Sequence, residues 1–219
     1  MNRFIVLAFT AFVLCVTAAF AQDKLPGPKG GPISMTAISP IFGELVAFSL
    51  PANFRTVHEN SNANNYIREA VLAGETVQRW TQMITVTGHK GMAANPAAMP
   101  QRFANLIAGG FNKACPETFS GSAFGDTKID GHDAFVVVVA CGKVKAVGDE
   151  HSETALIMAI KGLSDYYTLQ WAERGRAIAS APKIDAATWK LRADALQPVR
   201  RCTIVPGEKA PYPSCIGRK

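Results

Sequence analysis

The sequence predicts an α+β fold in a single domain: a central, mainly antiparallel sheet with helices packed on its faces, an α/β/α sandwich. Three observations lead there. Strand-like segments come in runs instead of alternating singly with helices, which favours an antiparallel sheet over a doubly wound parallel one. Two of these segments, DAFVVVVACG and ETALIMAIKG, are apolar without alternation, as expected for strands covered on both faces. Two further segments carry a helical period, and they lie between and after the runs of strands.

GELVAFSLPANF opens the domain with Val46, Phe48 and Leu50 on one side, Ala47 and Ser49 on the other, and Pro51 as a stop. NYIREAVLAGE and TVQRWTQMITVTG read as the next two strands, joined through Ala73-Gly74-Glu75 as a hairpin, with Gly88 ending the second. NPAAMPQRFANLIAGGFNKAC predicts a helix whose apolar stripe is Met99, Phe103, Leu106, Ile107 and Phe111. Pro100 suits its first turn, and Gly109-Gly110 weakens its middle by about 1 kcal/mol per glycine. TFSGSAFGDTKIDG reads as turn-rich. DYYTLQWAERG alternates, with Tyr167, Leu169 and Trp171 against Thr168 and Gln170. A second helix, DAATWKLRADALQP, takes Asp185 as N-cap, buries Trp189, Ala193 and Leu196 along a narrow face, and stops before Pro198.

The ends differ from the middle. Residues 1–21 have the order of a secretory leader: Arg3, an apolar run from Phe4 to Val16, then Ala19-Phe20-Ala21 before Gln22. The run is shorter than the roughly 20 apolar residues of a membrane span, so the mature chain is not expected to span a membrane. Residues 22–40, rich in Pro and Gly, read as a flexible lead-in, 41–197 as the α+β domain, and 198–219 as a basic, disulfide-bearing tail.

Export changes the meaning of the cysteines. Cys15 leaves with the leader, and Cys115, Cys141, Cys202 and Cys215 remain, an even number in an oxidising compartment. Four cysteines allow three pairings, and proximity along the chain favours Cys115–Cys141 and Cys202–Cys215. The protein is therefore expected in the periplasm or outside the cell.

The full chain carries a net charge of +6, and from Arg174 to Lys219 it has ten basic residues against three acidic ones. Arg200, Arg201, Lys209, Arg218 and Lys219 are candidate contacts for an envelope protein or an anionic surface. Export argues against nucleic acid as the partner.

Catalytic motifs fare poorly. Cys141 with His132 and Asp133 would make a thiol nucleophile, but nine residues of one extended strand hold the His and Cys about 30 Å apart. His58, His89, His132 and His151 stand at no metal-ligand spacing, and Asp126, Asp130 and Asp133 do not follow a calcium-loop pattern. GPKGGP lacks the phosphate-loop signature, and its prolines remove N–H donors. The sequence therefore points to no catalytic residue, no metal and no cofactor. Trp80, Tyr166, Tyr167 and Trp171 fit cross-strand packing better than a ligand surface.

LVAFSLPANF resembles the sheet-initiating strand of domains similar to the extrinsic photosystem II subunit P, and the IKGLSDYYTLQWAERG hairpin fits the same pattern. The resemblance spans roughly residues 41–197 and implies an α/β/α sandwich, also found in a Ran-GTPase-binding protein and in bacterial exported domains of unknown function. It implies partner binding and carries over no catalytic residue. The expectation is an exported, non-enzymatic accessory or interaction domain of the cell envelope. The alternative is a small-molecule binder or hydrolase with a pocket between a helix and the sheet.

Overall fold

The computed structural model describes residues 33–144 and 149–217. The expected leader, residues 22–32 of the lead-in, Arg218 and Lys219 lie outside the described residues. In chain order the strands are β1 (Ser34–Ile41), β2 (Glu44–Pro51), β3 (Phe54–Ser61), β4 (Asn65–Leu72) and β5 (Gln82–His89). Helix α1 (Pro100–Ala114) precedes β6 (Phe119–Ile129), β7 (His132–Val144), β8 (His151–Lys161) and β9 (Tyr166–Arg176). Helix α2 (Ala186–Ala195), β10 (Arg200–Thr203) and the short α3 (Pro213–Ile216) complete the described chain.

Two antiparallel sheets form: seven strands in the order β3-β4-β5-β9-β8-β7-β6, and three in the order β1-β2-β10. This corrects the expected sandwich. The strands DAFVVVVACG and ETALIMAIKG are indeed buried on both faces, but helices do not supply both covers. One face meets α1, through Phe103 and Ala104 against Phe135, Val137, Val139 and Ile157. The other meets mainly a second sheet: Val46, Phe48 and Leu50 of β2, with Trp189 and Leu196 of the α2 region, pack on Val138, Leu156, Met158, Leu169 and Trp171. Burial on both faces requires apolar neighbours on both sides and is indifferent to their secondary structure.

Ser34–Ile41 is strand β1, paired along its length with β2, so order begins earlier than the expected boundary near Ile41. The turn-rich reading of residues 118–131 is also corrected, since Phe119–Ile129 is an edge strand joined to β7 by Asp130-Gly131, both at positive φ. Such a two-residue Asp-Gly turn matches the twist of its hairpin. In α1 the buried stripe runs through Pro100, Phe103 and Ala104, with Ile107 and Phe111 half-buried, while Leu106 is 68% exposed. In α2 the Asp185 carboxylate accepts from the Thr188 N–H at 3.1 Å, the expected cap.

The four cysteines form two bonds, Cys115–Cys141 and Cys202–Cys215. The first ties the end of α1 to β7. The second, with Leu45, Ala47, Ile38 and Tyr212, packs on the outer face of the small sheet.

Candidate functional site

Where the two sheets face one another, charged side chains are sealed between them. Glu44 of β2 and Arg201 of β10 form an ion pair at 4% and 8% exposure. From the large sheet, the Tyr167 hydroxyl donates to Glu44 Oε2 at 2.7 Å and lies 3.4 Å from Asp165 Oδ2. Asp165 Oδ1 accepts from the Gly91 N–H at 2.7 Å. The Arg201 N–H donates to Asp130 Oδ2 at 3.1 Å, and Arg201 Nη2 lies 2.7 Å from His132 Nε2. Burial, with the negative charge of Asp165, pushes the Tyr167 phenol above its ordinary value, so it stays a donor. The cluster joins the β6–β7 turn, the β8–β9 turn and both sheets, and its polar groups bond to one another. It clamps the layers together, with Glu44, Asp165, Tyr167 and Arg201 all buried.

Gly162 belongs to that clamp. A Cβ there would lie 2.4 Å from Glu44 Oε2, 2.6 Å from the Tyr167 ring and 2.8 Å from the Asp165 carbonyl oxygen. We expect Gly162→Ala to cost about 1–3 kcal/mol by overpacking and to lower Tm by about 2–4 °C per kcal/mol. An unchanged melting curve would contradict the clamp.

The face of the large sheet that carries α1 is only partly covered, because α1 packs on β6, β7 and β8. Beyond it the register sets out a polar field: Thr85 beside Glu69 and Gln170, Thr87 beside Ile67 and Thr168, His89 beside Asn65 and Tyr166, and His58 beside Glu69. Thr85, Glu69 and Gln170 are half-buried and His58 is exposed. A cleft of about 550 Å³ continues the field between His58, Glu69 and the loop residues Glu75 to Gln78. At the foot of α1, Thr87 Oγ1 lies 3.1 Å from His89 Nε2, and His89 Nδ1 lies 3.1 Å from Asn65 Oδ1. Thr87 Oγ1 is also 2.7 Å from Thr168 Oγ1, to which Gln170 donates at 2.9 Å. The Phe103 ring meets His89 edge-on at 5.2 Å, and burial lowers the His89 pKa, so the neutral imidazole is favoured.

Between the second half of α1 and β7–β8 lies an apolar groove of about 290 Å³, lined by Ile107, Phe111, Ala114, Cys141, Val144 and Glu153 among others. Its carboxylate is engaged: Arg174 Nε donates to Glu153 at 3.0 Å and then stacks 3.7 Å over Trp80.

Of the proposed contact residues of the tail, Arg200, Arg201 and Lys209 are among the described residues, and they differ in exposure. Arg201 is buried, half-buried Arg200 donates to the carbonyls of Cys215 and Ile216, and Lys209 is exposed. His132 and Cys141 sit in the same strand, β7, and Cys141 is bonded to Cys115. Asp130 is the first residue of the β6–β7 turn, and Asp133 lies just after it in β7, paired with Lys128. Among the described residues no group of three or more His, Cys, Asp or Glu side chains could hold a metal ion, and no helix is long and apolar enough to cross a membrane. The polar field went unread in the sequence, although its signal is there: Thr85, Thr87 and His89 alternate with Ile84, Val86 and Gly88, so one face of that strand is polar.

No protein-family model matches the chain, and no curated protein does. Among solved structures, the chain is similar to a protein from Bacteroides thetaiotaomicron VPI-5482 at 12% identity and a TM-score of 0.38, covering 75% of this chain and 47% of that one. It is also similar to LpqN, described as involved in cell envelope biogenesis of Mycobacterium tuberculosis, at 12% identity and a TM-score of 0.37, covering 78% of this chain and 92% of that one. The chain thus spans about half the length of the first of these neighbours.

Proposed function

We propose that this chain is an exported accessory domain of the cell envelope that acts by binding a partner, through the open polar half of its large sheet. The observation that carries this reading is the row His58, Glu69, Thr85 and Gln170, half-buried to exposed beside a helix that covers only the other half of the same face. Side chains held on a rigid sheet lose little entropy on binding and present donors and acceptors at fixed spacing. Two cysteine pairs and the leader-like N-terminus support export. Contact of the basic tail with an anionic surface rests on Lys209, together with Arg218 and Lys219.

A photo-crosslinking residue at position 69 tests the reading. It should give an adduct in intact cells, the same residue at position 190 on α2 should not, and Thr85→Arg with Gln170→Arg should abolish the adduct while costing only about 1 kcal/mol of stability for the lost Gln170–Thr168 hydrogen bond. Equal adducts at positions 69 and 190, or an adduct that survives the double substitution, would overturn it.

One observation favours a second reading, hydrolysis. Thr87, His89 and Asn65 stand in the order hydroxyl, base and orienting group. The hydroxyl is already shared with Thr168, which favours a closed structural network. Turnover of p-nitrophenyl acetate by the wild type that is lost in Thr87→Ala and His89→Ala would establish the hydrolase. Equal background rates in all three would remove it.

A further inference from the structure

A second cleft, of about 580 Å³, opens on the opposite face of the large sheet, where the small sheet stops short of β3 and β4. Phe42 of the β1–β2 turn walls it, Tyr66 floors it, and Glu59, Asn60, Ser61 and Asn62 rim it. We propose that this cleft binds a neutral oligosaccharide, with a sugar ring stacked on Phe42 and its hydroxyls held by Glu59, Ser61 and Asn62.

The Phe42 ring is held there at a conformational cost. Its backbone has φ 53°, a left-handed conformation that a bulky residue rarely adopts, and such strain persists where the surrounding structure enforces it. Gly88 in the strand beneath leaves room chiefly for Ile41 and, less tightly, for the Phe42 ring. A Cβ on Gly88 would lie 2.3 Å from Ile41 Cγ2 and 3.2 Å from Phe42 Cε2. Lys90 Nζ lies 5.8 Å from the ring centroid, a cation–π contact that further fixes the ring.

The polar groups are fixed as well. The Tyr66 hydroxyl donates to Glu59 Oε1 at 2.7 Å, and burial, with Glu59 adding to it, raises the phenol to about 12, so it remains a donor. Among the described residues Glu59 Oε2 makes no other hydrogen bond and is left as an acceptor. Asn62 Oδ1 accepts from the N–H groups of Asn64 and Asn65 at 2.9 and 2.8 Å, which orients the amide and leaves its NH₂ as a donor. Ser61, paired with Tyr66 and therefore on the same face of the sheet, brings an exposed hydroxyl. An apolar ring face beside an oriented amide, a hydroxyl and a carboxylate matches a sugar, which has an apolar C–H face and a rim of hydroxyls that both donate and accept. The Glu59 charge at the rim disfavours an anionic ligand. This site shares no residue with the open polar field, so the two proposals stand or fall separately.

Titrating the oxidised protein with cellotriose, chitotriose and maltotriose, read by NMR shifts, tests the proposal. At least one of them should bind at millimolar concentration and shift the Asn62 side-chain amide. Phe42→Gly removes the ring while accepting the positive φ, and should weaken binding about tenfold. Ser61→Ala, at an exposed position, should weaken it without moving Tm, which keeps the test decisive if the glycine variant fails to fold. Absence of shifts with all three trisaccharides, or unchanged binding in Ser61→Ala and Phe42→Gly, would overturn the proposal.

Discussion

Arg201→Met is expected to lower the free energy of unfolding by about 3–5 kcal/mol, the typical cost of removing one partner from a buried ion pair. The guanidinium lies between the sheets against Glu44, and without it the carboxylate keeps only neutral donors, the Tyr167 hydroxyl at 2.7 Å and the Leu163 N–H at 3.4 Å. Because a domain of ordinary stability has about 5–15 kcal/mol in total, the loss should be plain in urea unfolding of the oxidised protein. A second substitution separates charge from packing. Glu44→Gln can still accept from Tyr167 and Leu163 but brings no charge, so Glu44→Gln with Arg201→Met should recover part of the loss. A cost below about 1 kcal/mol for Arg201→Met, the range of exposed pairs, would show that the cluster is open to water and is no clamp.

The second large effect comes from the disulfides. Opening Cys115–Cys141 with paired alanines frees a loop with a sequence separation of 26, and opening Cys202–Cys215 frees one of 13. Loop-closure entropy in the unfolded chain then sets costs of about 3.5 and 3 kcal/mol. The first change should act on α1, which otherwise holds to the sheet through Phe103, Ala104 and Ile107. The second should loosen the cover on Leu45 and Ala47, and with it the short pairing of β10 to β2 that positions Arg201. Denaturation of each double-alanine variant measures both, and a change below about 1 kcal/mol in either would contradict the bracing.

Periodicity in a sequence reports burial, and the legible elements follow from that. β2, β7, β8 and β9 are buried on at least one face along most of their length, so their runs and alternations are readable. β3 is an edge strand in which Phe54 alone is buried, and Arg55 to Ser61 are exposed, so no pattern marks it. β6 has only Ile129 buried, and its glycines look like turns. The cover on the second face was harder still. β10 is four residues of what reads as a basic tail, and it reaches β2 across the whole domain. No local rule connects Arg201 to Glu44, or distinguishes a buried arginine from its neighbour Arg200 at the margin. The clamp and the open field are consequences of register, which a single sequence does not encode locally.

The account as a whole requires a chain that has left the cytosol and is braced by sulfur. Intact mass of the native, unreduced protein, isolated from the source cells, addresses both points at once. The account predicts a chain beginning at Gln22 that gains two hydrogens per disulfide on reduction, for both Cys115–Cys141 and Cys202–Cys215. A chain beginning at Met1, with no mass gained on reduction, would contradict it.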